Sequence, residues 1–216
     1  MVKREVILPR VSATPFLEYG VAAASISGDE HCGDTYLVQD YADGVLVAVM
    51  DGLGHGALAA EASGRAREAL ARSRHYSAIP LIRSCHEALV GTRGVVLSLA
   101  LFNVREDTMT WLGVGNVTGV LMRADRSAVP KQETILVRSG IVGMRLPLLR
   151  ASVVIVHAGD LLVFATDGIR PDFVRSLSVS ESPQPLADRV LTSFGTDTDD
   201  ALVLAARYQG GGAAKP

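Results

Sequence analysis

The sequence predicts an α+β fold in which antiparallel sheets are covered by helices. Three observations lead there. Most apolar runs are short and joined by tight turns, the pattern of hairpins and meanders. The two strongest helical segments follow one another instead of alternating with every strand, which argues against a parallel doubly wound sheet. No linker or internal repeat interrupts residues 1–208, which read as one domain.

The elements follow in order. Leu17–Ile26 alternates weakly and predicts a strand, with a turn over Ser27–Gly33. Thr35–Gln39 and Val45–Met50 flank Tyr41-Ala42-Asp43-Gly44, whose Asp-Gly pair signals a hairpin. Ala57–Ser73 is rich in Ala, Glu, Arg and Leu and predicts a helix. On it, Arg65, Arg67, Arg72 and Arg74 read as a solvated face beside Glu61 and Glu68. Ile79–Val90 predicts a second helix, with Pro80 in its first turn and Gly91 near its end.

Val95–Val104, Thr108–Val114 and Val117–Arg123 read as a meander, with Met109 and Trp111 at core positions. Gly113–Gly119 lacks the third glycine of a dinucleotide fingerprint and reads as a hairpin turn. Ile135–Val137, Ser152–His157 and Asp160–Ala165 add strands. A turn at Pro171, a helix near Leu186–Ser193 and the strand Ala201–Tyr208 close the fold. Residues 209–216 include three consecutive glycines and read as a flexible tail.

Composition narrows the setting. A hydrophobic content of 48% with only 5% aromatic residues implies a sizeable aliphatic core. A net charge of −2 gives no pull toward nucleic acid or an anionic membrane. No apolar run approaches the roughly 18 residues of a membrane span, and Met1–Glu5 lacks a signal-peptide core. Cys32 and Cys85 show no metal-ligand spacing and read as reduced thiols of a cytoplasmic protein. His31, His75, His86 and His157 are scattered without ligand spacing. A monomer is expected.

The chemistry concentrates at strand ends. Asp51 closes the apolar run Val45–Met50 and opens Asp51-Gly52-Leu53-Gly54-His55-Gly56. Taken alone, this segment is either a metal loop or a turn in which Asp51 caps the helix at Ala57. Asp34, Asp167 and the pair Asp199-Asp200 lie at the ends of three further strand-like runs. Carboxylates converging there without Lys or Arg repel one another, and a divalent cation is the simplest neutralising partner. Hard oxygen donors favour Mg²⁺ or Mn²⁺.

Gly33-Asp34, Asp51–Gly56, Phe164–Ile169 and Asp199-Asp200 resemble, in order, the motifs of the metal-dependent serine/threonine phosphatases of the PP2C superfamily. The Gly-His-Gly form is most similar to its bacterial SpoIIE-like branch. Thr92–Val95, Gly113–Val117 and Gly140–Pro147 are similar to the stressosome phosphatases of that branch. The resemblance covers residues 17–208. It implies an αββα sandwich, two antiparallel sheets between helices, with two Mn²⁺ or Mg²⁺ ions at one edge. Asp51 would bridge them. Asp34 and the Gly52 carbonyl would hold one ion, Asp167 and Asp199 the other, with Asp200 the less certain alternative to Asp199.

The same resemblance implies hydrolysis of phosphoserine or phosphothreonine by a metal-activated water, with Asp51 and Asp34 catalytic through it. Phosphorylated STAS-domain stressosome proteins are the implied substrates, and damping of a stress signal the implied role. Eukaryotic members carry a histidine directly after the Asp-Gly pair. Here Leu53 stands there, so His55 is the candidate substitute, or packs beneath the loop. Their upstream phosphate-binding arginine is also missing, since Gly28-Asp29-Glu30 occupies that region, leaving Arg10 or Arg93. Two other readings compete. A non-catalytic binding module on the same fold has no need of clustered charge. A haloacid dehalogenase-type hydrolase needs a second acid where Leu53 stands and a helical crossover.

Overall fold

The structure, a computed structural model, describes residues 6–7, 12–26 and 31–211. Strands Val6–Ile7 (β1), Ser12–Ala13 (β2), Leu17–Ala24 (β3), Asp34–Tyr41 (β4) and Gly44–Gly52 (β5) precede helices Ala57–Arg72 (α1) and Ala78–Ala88 (α2). Strands Val95–Asn103 (β6), Thr108–Val114 (β7), Thr118–Met122 (β8), Gln132–Thr134 (β9) and Val137–Arg138 (β10) follow. Ser152–Ile155 (β11), Leu161–Ala165 (β12), a 3-10 turn at Pro171–Ser176, helix Pro183–Phe194 (α3) and Ala201–Tyr208 (β13) complete the order.

These strands form two sheets. One runs β1-β3-β13-β12-β8-β9 with β2 beside β3, and the other β10-β7-β6-β5-β4 with β11 beside β7. The pairings are antiparallel except that of β10 with β7, which is parallel. Period-two alternation sorts the side chains into layers. On β5, Val45, Val47 and Val49 join the cluster of Phe164, Leu202 and Leu204 between the sheets. Leu46, Ala48 and Met50 point the other way, into the cluster shared with α1 and α2. On the far side Val163, Val203 and Ala205 meet Leu186, Ala187 and Val190 of α3. Two helices, two sheets and a third helix thus stack as the expected αββα sandwich. Each fully buried aliphatic side chain stabilises it by about 1.5–3 kcal/mol. A one-residue slip of β5 would move three valines out of the inter-sheet layer, so the burial pattern fixes the register.

α1 can approach β5 closely because its buried stripe begins with small residues, Ala59, Ala62, Ser63 and Ala66, before Leu70. Its outer face carries the expected pairs Arg65–Glu61 and Arg72–Glu68. Arg67 instead donates from Nε to the Tyr36 carbonyl, at 3.2 Å. α3 starts earlier than expected, at Pro183, since proline suits a first helical turn. Met109 and Trp111 are buried as anticipated. No described helix is long and apolar enough to cross a membrane.

Two expectations need correction. β7 and β8 belong to different sheets, so Gly113–Gly119 is a crossing between sheets, and neither a hairpin turn nor part of a meander. Ser98 of β6 spans that crossing, its hydroxyl donating to the Val117 carbonyl at 2.8 Å. Ile135–Val137 is not one strand. Ile135 is buried in the inter-sheet cluster between β9 in one sheet and β10 in the other. Apolar runs alone do not distinguish a return within a sheet from a return across the core, because both bury the same residues. Arg10, residues 27–30 of the Ser27–Gly33 turn and residues 212–216 of the tail lie outside the described residues.

Candidate functional site

The alternation that builds the core also places the acids. Asp34 continues the row of β4 that carries Tyr36 and Val38 against the inter-sheet cluster, and Asp51 continues Val47 and Val49 on β5. The register sets Asp34 directly opposite Asp51. In the facing sheet, Thr166 extends the row Leu162, Phe164, and Asp200 extends Leu202, Leu204. Asp167 and Asp199 lie next to these at the rim. Four strand ends from two sheets therefore bring together the acids read from the sequence.

Their charges act on one another. Burial, followed by the charges of Asp167, Asp199 and Asp200, pushes Asp51 up to about 8. Burial also lifts Asp34 well above the usual carboxylate range, Asp51 adding to it and the Thr166 hydroxyl opposing. Asp199 is raised by burial, with Asp167 and Asp200 adding, while the Asp200 amide and His55 act the other way. Among the described residues, no Lys or Arg is one of the groups that act on these three. Cys32 stands beside the cluster. Burial and then Asp34 hold its thiol up to about 12, so it stays protonated and inert.

Polar neighbours fix the carboxylates in place. The Thr166 hydroxyl donates to Asp34 Oδ2 at 2.7 Å and accepts the Leu202 amide at 2.8 Å, which ties one sheet to the other. Asn116 Nδ2 donates to Asp167 Oδ2 at 2.7 Å. Asp200 is buried and engaged internally, accepting the amides of Ile26 at 2.8 Å and Gly33 at 2.6 Å. Asp199 is more open, one oxygen accepting the Asp200 amide at 2.9 Å.

Thr166 and Asn116 had no assigned role in the sequence. Thr166 sits inside a motif that was noted only for its acid, and a hydroxyl directly before that acid was the available signal. Asn116 becomes a neighbour of Asp167 only through the cross-sheet connection.

The Asp51–Gly56 loop resolves the choice between a cap and a loop of another kind. The N-cap of α1 is Gly56, and no side chain caps the helix. Gly52 is required by packing, since a Cβ there would overlap the Ala59 carbonyl of α1. Gly168 has the same constraint against the Asp200 carbonyl. Leu53 packs on the inter-sheet cluster while its amide donates to the Gly94 carbonyl at 3.1 Å. His55 is exposed and close enough to Asp199 to favour that group's charged form.

Among the described residues, no three His, Cys, Asp or Glu side chains close into a ready-made ligand set. The donor chemistry still fits a hard divalent cation. It offers carboxylates and the Gly52 carbonyl, and the burial and mutual repulsion that raise Asp34, Asp51 and Asp199 are what a bound cation would offset.

Comparison with known proteins bears on the family and the fold. The family model for Stage II sporulation protein E (SpoIIE) matches residues 41–209. Phosphoserine phosphatase RsbX of Bacillus subtilis (strain 168) is 25% identical over 178 residues, which cover 81% of this chain and 86% of RsbX. A crystal structure of RsbX in complex with magnesium aligns with a TM-score of 0.80 at 22% identity, over 96% of this chain and 100% of that one. A chain from a structure of the bacterial stressosome aligns with a TM-score of 0.79 at 28% identity, covering 88% of this chain and 99% of its own.

Proposed function

The chain belongs to the SpoIIE family of PP2C-type phosphatases, and on that premise we propose that it hydrolyses phosphoserine and phosphothreonine in proteins with divalent metal. One observation carries the reading. Asp34, Asp51, Asp167 and Asp199 converge from two sheets, and among the described residues no Lys or Arg is one of the groups acting on Asp34, Asp51 or Asp199. That concentration of negative charge raises the free energy of the metal-free fold, and a cation-binding function accounts for keeping it.

Asp34, Asp51 and the Gly52 carbonyl would hold one Mn²⁺ or Mg²⁺ in this reading, and Asp167 and Asp199, with Asp51, would hold a second. Bound divalent cations supply the Lewis acidity that activates a water and offsets charge on the phosphoryl oxygens. The chain does the rest. Thr166 and Asn116 hold the carboxylates of Asp34 and Asp167 in fixed orientations. Leu53 packs on the inter-sheet core and anchors the start of the loop. Asp200 braces residues 26 and 33 ahead of Asp34, which supports the more open Asp199 as the ligand in this reading. His55 steadies the loop against Asp199.

Similarity to RsbX and to a stressosome chain supports a narrower substrate class. Phosphorylated STAS-domain proteins of a stressosome are the substrates in this reading, and their dephosphorylation damps the stress signal. The test compares kcat/KM, with Mn²⁺ present, on a phosphorylated STAS-domain protein and on an unrelated phosphopeptide. A preference of about tenfold or more for the former is expected from recognition beyond the phosphate. Equal values would argue against a dedicated partner, and binding without turnover would favour a non-catalytic module.

A further inference from the structure

We propose that Arg93 binds the phosphate group of the substrate, an assignment that rests on the phosphatase reading above. Arg93 lies in the short connection between α2 and β6, and its backbone is anchored on both sides. The Thr92 amide and hydroxyl both donate to the Leu89 carbonyl, at 3.0 and 2.7 Å, and the same hydroxyl accepts the Gly94 amide at 3.1 Å. The Gly94 carbonyl accepts the Leu53 amide. The residue before Arg93 is thus fixed to α2, and the residue after it to the loop that begins with Asp51.

The side chain points the same way. Arg93 Nη1 lies 2.9 Å from where a Cβ on Gly54 would stand. Gly54 has φ +82°, so the turn favours glycine twice, for its left-handed backbone and for the guanidinium resting against it. Arg93 is exposed and forms no ion pair among the described residues. Its guanidinium, exposed and resting against Gly54, stays available to an anion arriving over the Asp51–Gly56 loop.

Four other arginines are committed elsewhere. Arg67 is held by the Tyr36 carbonyl, Arg123 by Glu133 and Asp160, Arg189 by Glu181, and Arg207 by three backbone carbonyls. A guanidinium is suited to phosphate because it donates two parallel hydrogen bonds and never loses its charge. The region upstream of Asp34 offers Gly28-Asp29-Glu30 in place of an arginine. In this chain the role moves to a different element on the other side of the metal loop.

The test uses the intact chain and the variants R93A and R93K. Calorimetry reads binding of inorganic phosphate to the Mn²⁺-loaded protein, and kinetics on p-nitrophenyl phosphate reads KM and kcat separately. In R93A phosphate affinity is expected to fall, and KM to rise, by about tenfold or more, as for a lost charge-assisted hydrogen bond. R93K recovers part of the loss, while Mn²⁺ affinity and melting temperature match wild type. Unchanged phosphate affinity in R93A would overturn the assignment. So would a loss matched by equal losses of Mn²⁺ affinity or melting temperature. Because phosphate binding is read without turnover, an inactive wild type would sink the phosphatase reading while this assignment is still decided by calorimetry.

Discussion

Asp51 shows how one residue acts on both stability and function. Its folded pKa of about 8 lies above the ordinary value of 3.8, through burial and the neighbouring acids. Between those values the folded chain keeps a proton that the unfolded chain has lost. The favourable contribution is complete below the unfolded value and is lost as pH rises through the folded one, so metal-free stability falls from about pH 4 to about pH 8. Asp51→Asn removes that repulsion. Melted without metal at pH 8, the variant should be more stable than wild type by about 1–2 kcal/mol, with a flatter pH dependence; a less stable variant would count against the charge cluster. Thr166→Val tests the tie between sheets. It leaves the Leu202 amide and Asp34 short of a partner, and urea denaturation should show a loss of about 1–3 kcal/mol. An unchanged midpoint would mean the hydroxyl does not join the sheets. The acids were legible in the sequence because a carboxylate at the end of a buried apolar run is conspicuous. Thr166 and Asn116 were not, because each acts on a residue more than fifty positions away or from the opposite sheet.

At the scale of elements, the site depends on how closely α1 and β5 pack. A methyl group at residue 52 would meet the Ala59 carbonyl, part of the helix backbone and unable to rotate away. Gly52→Ala should therefore cost about 1–3 kcal/mol and weaken Mn²⁺ binding together with stability. A variant with wild-type melting temperature would show that α1 yields more readily than this packing implies. Helices α1 and α2, the β4–β5 hairpin and β13 were legible from propensity, the Asp-Gly turn and uninterrupted apolar runs. The return from β7 to β8 and the split at Ile135 were not. Their residues are buried whichever sheet they join, and only the partner strands decide.

At the scale of the whole molecule, the site exists because two sheets meet. Asp34 and Asp51 come from one sheet, and Asp167 and Asp199 from the strand ends of the other. The inter-sheet core that stabilises the sandwich thus also sets the spacing of the carboxylates, and no single element carries the function. The residues alone indicated antiparallel sheets covered by helices, and the sandwich followed from the resemblance of the acidic motifs. In the structure β5 separates a valine face from a Leu-Ala-Met face, with a layer on each side. The central claim is that these convergent acids hold catalytic metal. It is tested most directly by hydrolysis of p-nitrophenyl phosphate with Mn²⁺, with Mn²⁺ plus excess chelator, and by Asp51→Asn. The account predicts turnover with Mn²⁺ that is abolished by chelator and lowered by about a hundredfold or more in a folded Asp51→Asn. Turnover that persists in chelator, or that survives Asp51→Asn at the wild-type rate, would contradict it.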